Sequence, residues 1–136
     1  QASIAAGAAP RTGYTHLFSR RSGVDRSAAE AVRLRCRSGM VDGQTSGMAP
    51  GFVQANFVAL PREHAFDFLR FCLLNPRACP LLEVTAPGEV HAPTLAPLAD
   101  LRTDMPKYRV WRDGEVAEEC TDVSALWRDD MVSFLL

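Results

Sequence analysis

The stretch Gly51-Phe52-Val53-Gln54-Ala55-Asn56-Phe57-Val58-Ala59-Leu60-Pro61, followed by Arg62 to Leu74, decides the fold class. Residues 52–60 read as a strand bounded by Gly51 and Pro61. Apolar residues fall on both of its faces, the mark of a strand covered from two sides. Pro61 suits the first turn of a helix. Ala65, Phe66, Leu69, Cys72 and Leu73 then recur at helical spacing until Asn75-Pro76 stops the run. A strand that hands straight on to an amphipathic helix belongs to an α/β chain.

Working outward, Ser27-Ala28-Ala29-Glu30 has the form of a capping box and predicts a helix over 27–38, closed by Gly39. Residues 40–51 hold three glycines and a proline and read as a loop. On the other side, residues 80–85 predict a second buried strand carrying one carboxylate, Glu83, and residues 86–99 a proline-rich loop. Residues 107–112 and 115–121 flank Asp113-Gly114, a strong hairpin signal, and Tyr108 and Val110 alternate with charged residues to leave one wet face. A last helix is expected over 123–136, with Asp129 and Asp130 complementing its dipole. Its apolar end, Ser133 to Leu136, is expected either to run on into further chain or to be covered by further protein packing against it. The expected architecture is a mixed sheet with packed helices and a β-hairpin near 107–121.

Composition sets the outer bounds. With 136 residues, 47% hydrophobic and 23% charged, the chain is globular and of single-domain size. No run approaches the ~20 apolar residues of a membrane span. A net charge of -1 argues against a nucleic-acid binder. The charge is uneven: residues 1–70 carry nine basic and five acidic side chains, and residues 71–136 carry six and eleven. Residues 1–26, with Arg11, Arg20, Arg21 and Arg26 against Asp25 alone, read as a flexible or transit-derived leader ahead of a domain over 27–136. A leader of that kind points to a mitochondrial matrix or other organelle, the alternative being the cytoplasm. Cys36, Cys72, Cys79 and Cys120 form no C-x-x-C pair and the three histidines are scattered, so neither a metal site nor a cofactor is expected.

Three features carry candidate chemistry. Thr45-Ser46-Gly47 opens a glycine-rich turn whose hydroxyls and backbone amides suit an anion, although an ordinary connection has the same composition. Gln54 and Asn56 share one face of the strand, and their partners are either loop backbone or a polar ligand. Asp100-Leu101-Arg102-Thr103-Asp104 packs a guanidinium between carboxylates, as a fork for a substrate carboxylate or as a local salt-bridge knot. Glu83 poses the same choice between chemistry and structure.

Together, residues 45–56, Leu60-Pro61, Ala65-Phe66-Asp67-Phe68, Asn75-Pro76, Cys79-Pro80-Leu81-Leu82-Glu83-Val84, Ala99 to Asp104, Tyr108-Arg109-Val110 and Leu126 to Leu135 resemble the hydro-lyase family grouped with D-glutamate cyclase. The likeness covers about residues 27–136, and members are about twice this length, so the chain corresponds to an N-terminal half. The resemblance implies loss of water from a small carboxylate or amino acid, as when D-glutamate closes to 5-oxo-D-proline. For that chemistry Arg102 would clamp a carboxylate, and Thr45, Ser46 and the Gly47 turn would serve a developing oxyanion. Gln54 and Asn56 would orient the substrate, and Glu83 or Asp104 would move a proton. The alternative function is a non-catalytic accessory subunit of a larger, possibly organellar, assembly.

Overall fold

The computed structural model describes residues 3–7 and 24–136. In chain order the elements are β1 (Ser3–Gly7), α1 (Arg26–Arg37), β2 (Phe52–Pro61), α2 (Arg62–Leu74), β3 (Glu83–Val84), β4 (Tyr108–Arg112), β5 (Glu115–Cys120), a 3-10 turn (Ser124–Leu126) and β6 (Met131–Leu135). One sheet runs in the order β1-β2-β6-β3, every neighbour antiparallel, and β4 and β5 form a separate hairpin. The mixed α/β class read from the sequence holds, as does the hairpin. The leader expected over 1–26 falls mostly on residues 1–2 and 8–23, outside the described residues. Ser3–Gly7 pairs with the first half of β2, and Arg26 opens α1.

The last helix is corrected. Residues 124–126 make a single 3-10 turn, and Met131–Leu135 forms the strand that sits between β2 and β3. Val132, Ser133, Phe134 and Leu135 are all buried, so this run carries neither a helical nor an alternating pattern. Only its five-residue length distinguishes it as a strand. The apolar end therefore lies in a strand between β2 and β3, not on a helix. Asp130 complements no helix dipole and forms a fork with Arg128 at 2.7 and 2.8 Å.

Smaller adjustments have local causes. Asp25, not Ser27, caps α1: its Oδ1 accepts from the Ala28 amide at 3.0 Å and the Ser27 hydroxyl at 2.7 Å. Gly39 closes α1 as expected, with φ +71°, its amide reaching Cys36 and that of Met40 reaching Arg35. The strand expected over 80–85 shrinks to Glu83–Val84, although the Leu82 and Thr85 amides still bond to β6 at 2.8 and 3.0 Å.

Register fixes the two faces of the sheet. Phe57 stands opposite Leu135, and Val58 opposite Phe134. Ala55, Phe57 and Leu135 face the main core, which Leu101, Met105, Tyr108 and Val123 complete from the loops and the hairpin. Phe134 faces the other way, edge-on to Phe68 of α2 with ring centres 5.0 Å apart. Burying an aromatic or aliphatic side chain of this size contributes about 2–3 kcal/mol. Gly88 is fixed by close approach: at φ +78°, a Cβ there would meet the Asp129 carbonyl oxygen at 2.8 Å. No helix among the described residues is long and apolar enough to cross a membrane.

Candidate functional site

Asp104 is the centre of the ionic cluster. Its side chain is fully buried and accepts from Arg37 Nε at 2.8 Å, Arg37 Nη2 at 3.0 Å, the Asp100 amide at 2.9 Å and the Thr103 hydroxyl at 3.0 Å. Arg37 belongs to the last turn of α1, so this carboxylate ties the helix to the loop 99–106. One step further, Asp100 grips Arg102 through Nε and Nη2 at 2.9 and 2.8 Å. The hydrogen bond from the Arg102 side chain is the main reason the Asp100 carboxyl lies below the usual range, and the same bond pushes the guanidinium up. Nearby, Tyr108 donates to the Leu101 carbonyl at 3.0 Å, and burial pushes its phenol up.

Glu83 is likewise occupied. Its two oxygens accept from the Thr94 and Leu95 amides, each at 2.8 Å, so the carboxylate pins the proline-rich loop to β3. The sequence left Asp104 and Glu83 open between chemistry and structure. The bonds they make are structural, and each oxygen has a donor.

The glycine turn differs. Thr45 is buried, and its hydroxyl oxygen has no hydrogen-bond partner among the described residues. The Thr45 carbonyl accepts from the Met48 amide at 3.1 Å, which folds Ser46 and Gly47 into an exposed turn, Gly47 at φ +77°. Leaving a buried hydroxyl unmatched costs about 1–3 kcal/mol. The turn lies in the connection 38–51 that follows α1, the helix that carries Arg37.

The amide pair stands apart from the ionic cluster. Gln54 is half-buried and Asn56 is exposed. Alternation along β2 points both toward the face that carries Val58 and Phe134. The Asp100–Asp104 loop lies on the other face, where its Leu101 and Met105 fill the core beside Ala55 and Phe57. The sheet thus separates Gln54 and Asn56 from Arg102, Asp104 and Glu83. Among the described residues, no group of three or more His, Cys, Asp or Glu side chains is placed to hold a metal ion.

Sequence reasoning missed an open cleft of about 900 Å³ between the second half of β2, the hairpin and residues 123–131. Its walls include Phe57, Tyr108, Trp111, Trp127 and Met131. Phe57 links them, stacked on Trp127 at 6.4 Å and edge-on to Tyr108 at 6.5 Å. The aromatic residues and the wet hairpin were visible in the sequence. The strand β6, which brings residues 123–131 alongside β2, was not.

No model of a known protein family matches the chain. Curated relatives do. A protein of Rubrobacter xylanophilus is 59% identical over 109 residues, which is 80% of this chain and 42% of that protein. One of Pseudomonas syringae pv. syringae is 57% identical over 113 residues, 82% of this chain and 42% of the relative. One of Rhizobium rhizogenes is 56% identical over 115 residues, with 83% and 42% covered. All three are bacterial and carry the name "Putative hydro-lyase". The chain spans about two fifths of the length of these relatives.

Proposed function

We propose that this chain forms part of a hydro-lyase acting on a small carboxylate or amino acid, with D-glutamate closing to 5-oxo-D-proline as the specific case. The observation that carries the reading is the buried Thr45 hydroxyl, unmatched among the described residues inside a glycine turn. The names of the relatives support the reaction class. Loss of water develops negative charge on an oxygen, and a preorganised hydroxyl and amides stabilise that charge without reorganising at the moment of reaction. Thr45, Ser46 and the Gly47 turn supply these donors.

Arg102, held rigid by Asp100, clamps the substrate carboxylate in fork geometry. Gln54 and Asn56 orient a substrate only from their own face of the sheet. Proton transfer by Glu83 or Asp104 requires the carboxylate to release a donor first, which makes both primarily holders of the loops around the site. The relatives being bacterial, the cytoplasm is the compartment proposed.

The test uses this chain and a version extended to the length of its relatives. Each is incubated with D-glutamate, and 5-oxo-D-proline is followed by mass spectrometry. Product from the extended protein that is lost in Thr45→Val and retained in Thr45→Ser supports the reading. No product from either chain removes D-glutamate as the substrate.

The accessory-subunit reading rests on a different observation. Phe66 and Leu73, seven residues apart on one stripe of α2, are 73% and 65% exposed. Apolar surface of this kind suits a protein partner. A monodisperse monomer by light scattering at micromolar concentration counts against it.

A further inference from the structure

The two helices turn different faces outward. Of its large apolar side chains α1 exposes Leu34 alone. By contrast α2 exposes four, Phe66, Phe71, Leu73 and Leu74, each more than half accessible. The cause is the seating of α2 on the sheet. Phe68 turns inward against Phe134, with ring centres 5.0 Å apart, and Cys72, one turn later, is buried. At about 3.6 residues per turn, that orientation carries Phe66, Arg70, Leu73 and Leu74 outward, and all four are exposed. Single apolar residues on a surface are ordinary, but four on one helix of 13 residues mark an interaction surface.

Charge identifies the occupant. Between Phe66 and Leu73 the exposed side of α2 carries two ionised groups, Asp67 and then Arg70. Neither has an ion-pair partner among the described residues, whereas Glu63 has His64 beside it at 3.6 Å. Two copies of α2 laid parallel would set Asp67 against Asp67 and Arg70 against Arg70. Laid antiparallel, the first half of each helix lies over the second half of the other. Asp67 then meets the other copy's Arg70, and Phe66 meets the other copy's Leu73 and Leu74. Such self-complementarity is what an interface on a two-fold axis requires.

We propose that two copies of this chain associate through α2, antiparallel about a two-fold axis. Phe66 and Leu73 form the apolar centre, and two reciprocal Asp67–Arg70 ion pairs flank it. The apolar contacts supply affinity, and the ion pairs fix direction and register. The inference rests on α2 being a docking face, as in the accessory-subunit reading, and not on Thr45 or the reaction.

The test is sedimentation equilibrium of the 136-residue chain from low to high micromolar concentration. A monomer–dimer equilibrium is expected for the wild type. Asp67→Arg leaves the face with two cations and Arg70→Asp leaves it with two carboxylates, so each variant alone should dimerise about tenfold more weakly or worse. Mixed in equal amounts, the two variants should form a dimer with each other at close to the wild-type affinity, because their faces are complementary again. Both positions are exposed, so the circular dichroism spectrum should not change. Phe66→Ser should abolish the dimer. A wild-type chain that is monomeric throughout overturns the proposal together with the docking reading. Loss of the dimer in Phe66→Ser, with no effect of either charge reversal, keeps α2 as a docking face and overturns the antiparallel pairing. Failure of the mixed variants to pair overturns it too. A version extended to the length of the relatives that is monomeric gives the face to the added segment, and also overturns the proposal.

Discussion

Asp104 and Thr45 are both buried polar side chains, and the chain treats them in opposite ways. Asp104 receives four hydrogen bonds, two of them from the fork of Arg37. Thr45 receives none among the described residues. A buried carboxylate left without donors would be far costlier than a buried hydroxyl, so the sequence spends its donors where the charge is. A saturated group fastens the fold, and the unmatched hydroxyl in the glycine turn is the group proposed to meet a ligand. The contrast gives four predictions, ordered by the size of the expected effect on stability.

Removing the donor fork is the most damaging change. Arg37→Met leaves the Asp104 carboxylate buried with only the Asp100 amide and the Thr103 hydroxyl. Breaking a buried pair on one side costs about 3–5 kcal/mol, and the half-exposed Arg37 places this case at the lower end, about 3 kcal/mol. Urea denaturation monitored by circular dichroism measures it. A loss under about 1 kcal/mol would mean the carboxylate is not fastening α1 to the loop. Glu83→Gln is milder. One oxygen still accepts, but an amide nitrogen now faces a backbone N–H, for a cost of about 1–2 kcal/mol. Protection of the Thr94 and Leu95 amides from hydrogen exchange should fall with it.

Much of this fastening was legible in outline. Asp100, Arg102 and Asp104 stood within five residues, so a salt-bridge knot was one of two stated readings, and Arg102 does pair with Asp100. That Arg37 would reach Asp104 from 67 positions away had no signal in a single sequence. The same limit explains the last element. A run of buried apolar residues has no period to read, and β6 is defined by β2 and β3 on either side, both distant in sequence. The alternation of β2 correctly placed Gln54 and Asn56 on one face. It could not say that the ionic loop lay across the sheet, because that depends on which face Leu101 and Met105 fill.

Acid separates the two kinds of group in solution. Asp100 has its carboxyl held below the usual range, chiefly by the Arg102 side chain. Its folded pKa being the lower one, it contributes stability fully above the unfolded value of about 3.9, and that contribution is lost as pH falls through the folded pKa. Asp100→Asn should therefore flatten the part of the stability profile below about pH 4 and change neutral stability by under about 1 kcal/mol. Thermal melts from pH 2 to 7 decide it, and an unchanged acid limb would place the acid sensitivity elsewhere. Thr45 has no charge to lose and adds nothing to this limb.

Thr45→Val tests the other side of the contrast and should have the smallest effect on stability. It removes a hydroxyl that has no partner among the described residues and keeps the branched shape. A buried donor without an acceptor is a net cost, so the variant should match the wild type or gain up to about 1 kcal/mol. If the hydroxyl is instead matched to a ligand, the loss appears only when the ligand is present. Melting is therefore measured with and without D-glutamate, for wild type and variant together. Stabilisation of the wild type by D-glutamate that is absent in Thr45→Val makes the unmatched hydroxyl a binding group. A variant that is less stable by 1 kcal/mol or more without any ligand gives Thr45 a fastening role like that of Asp104, and the distinction between the two residues fails.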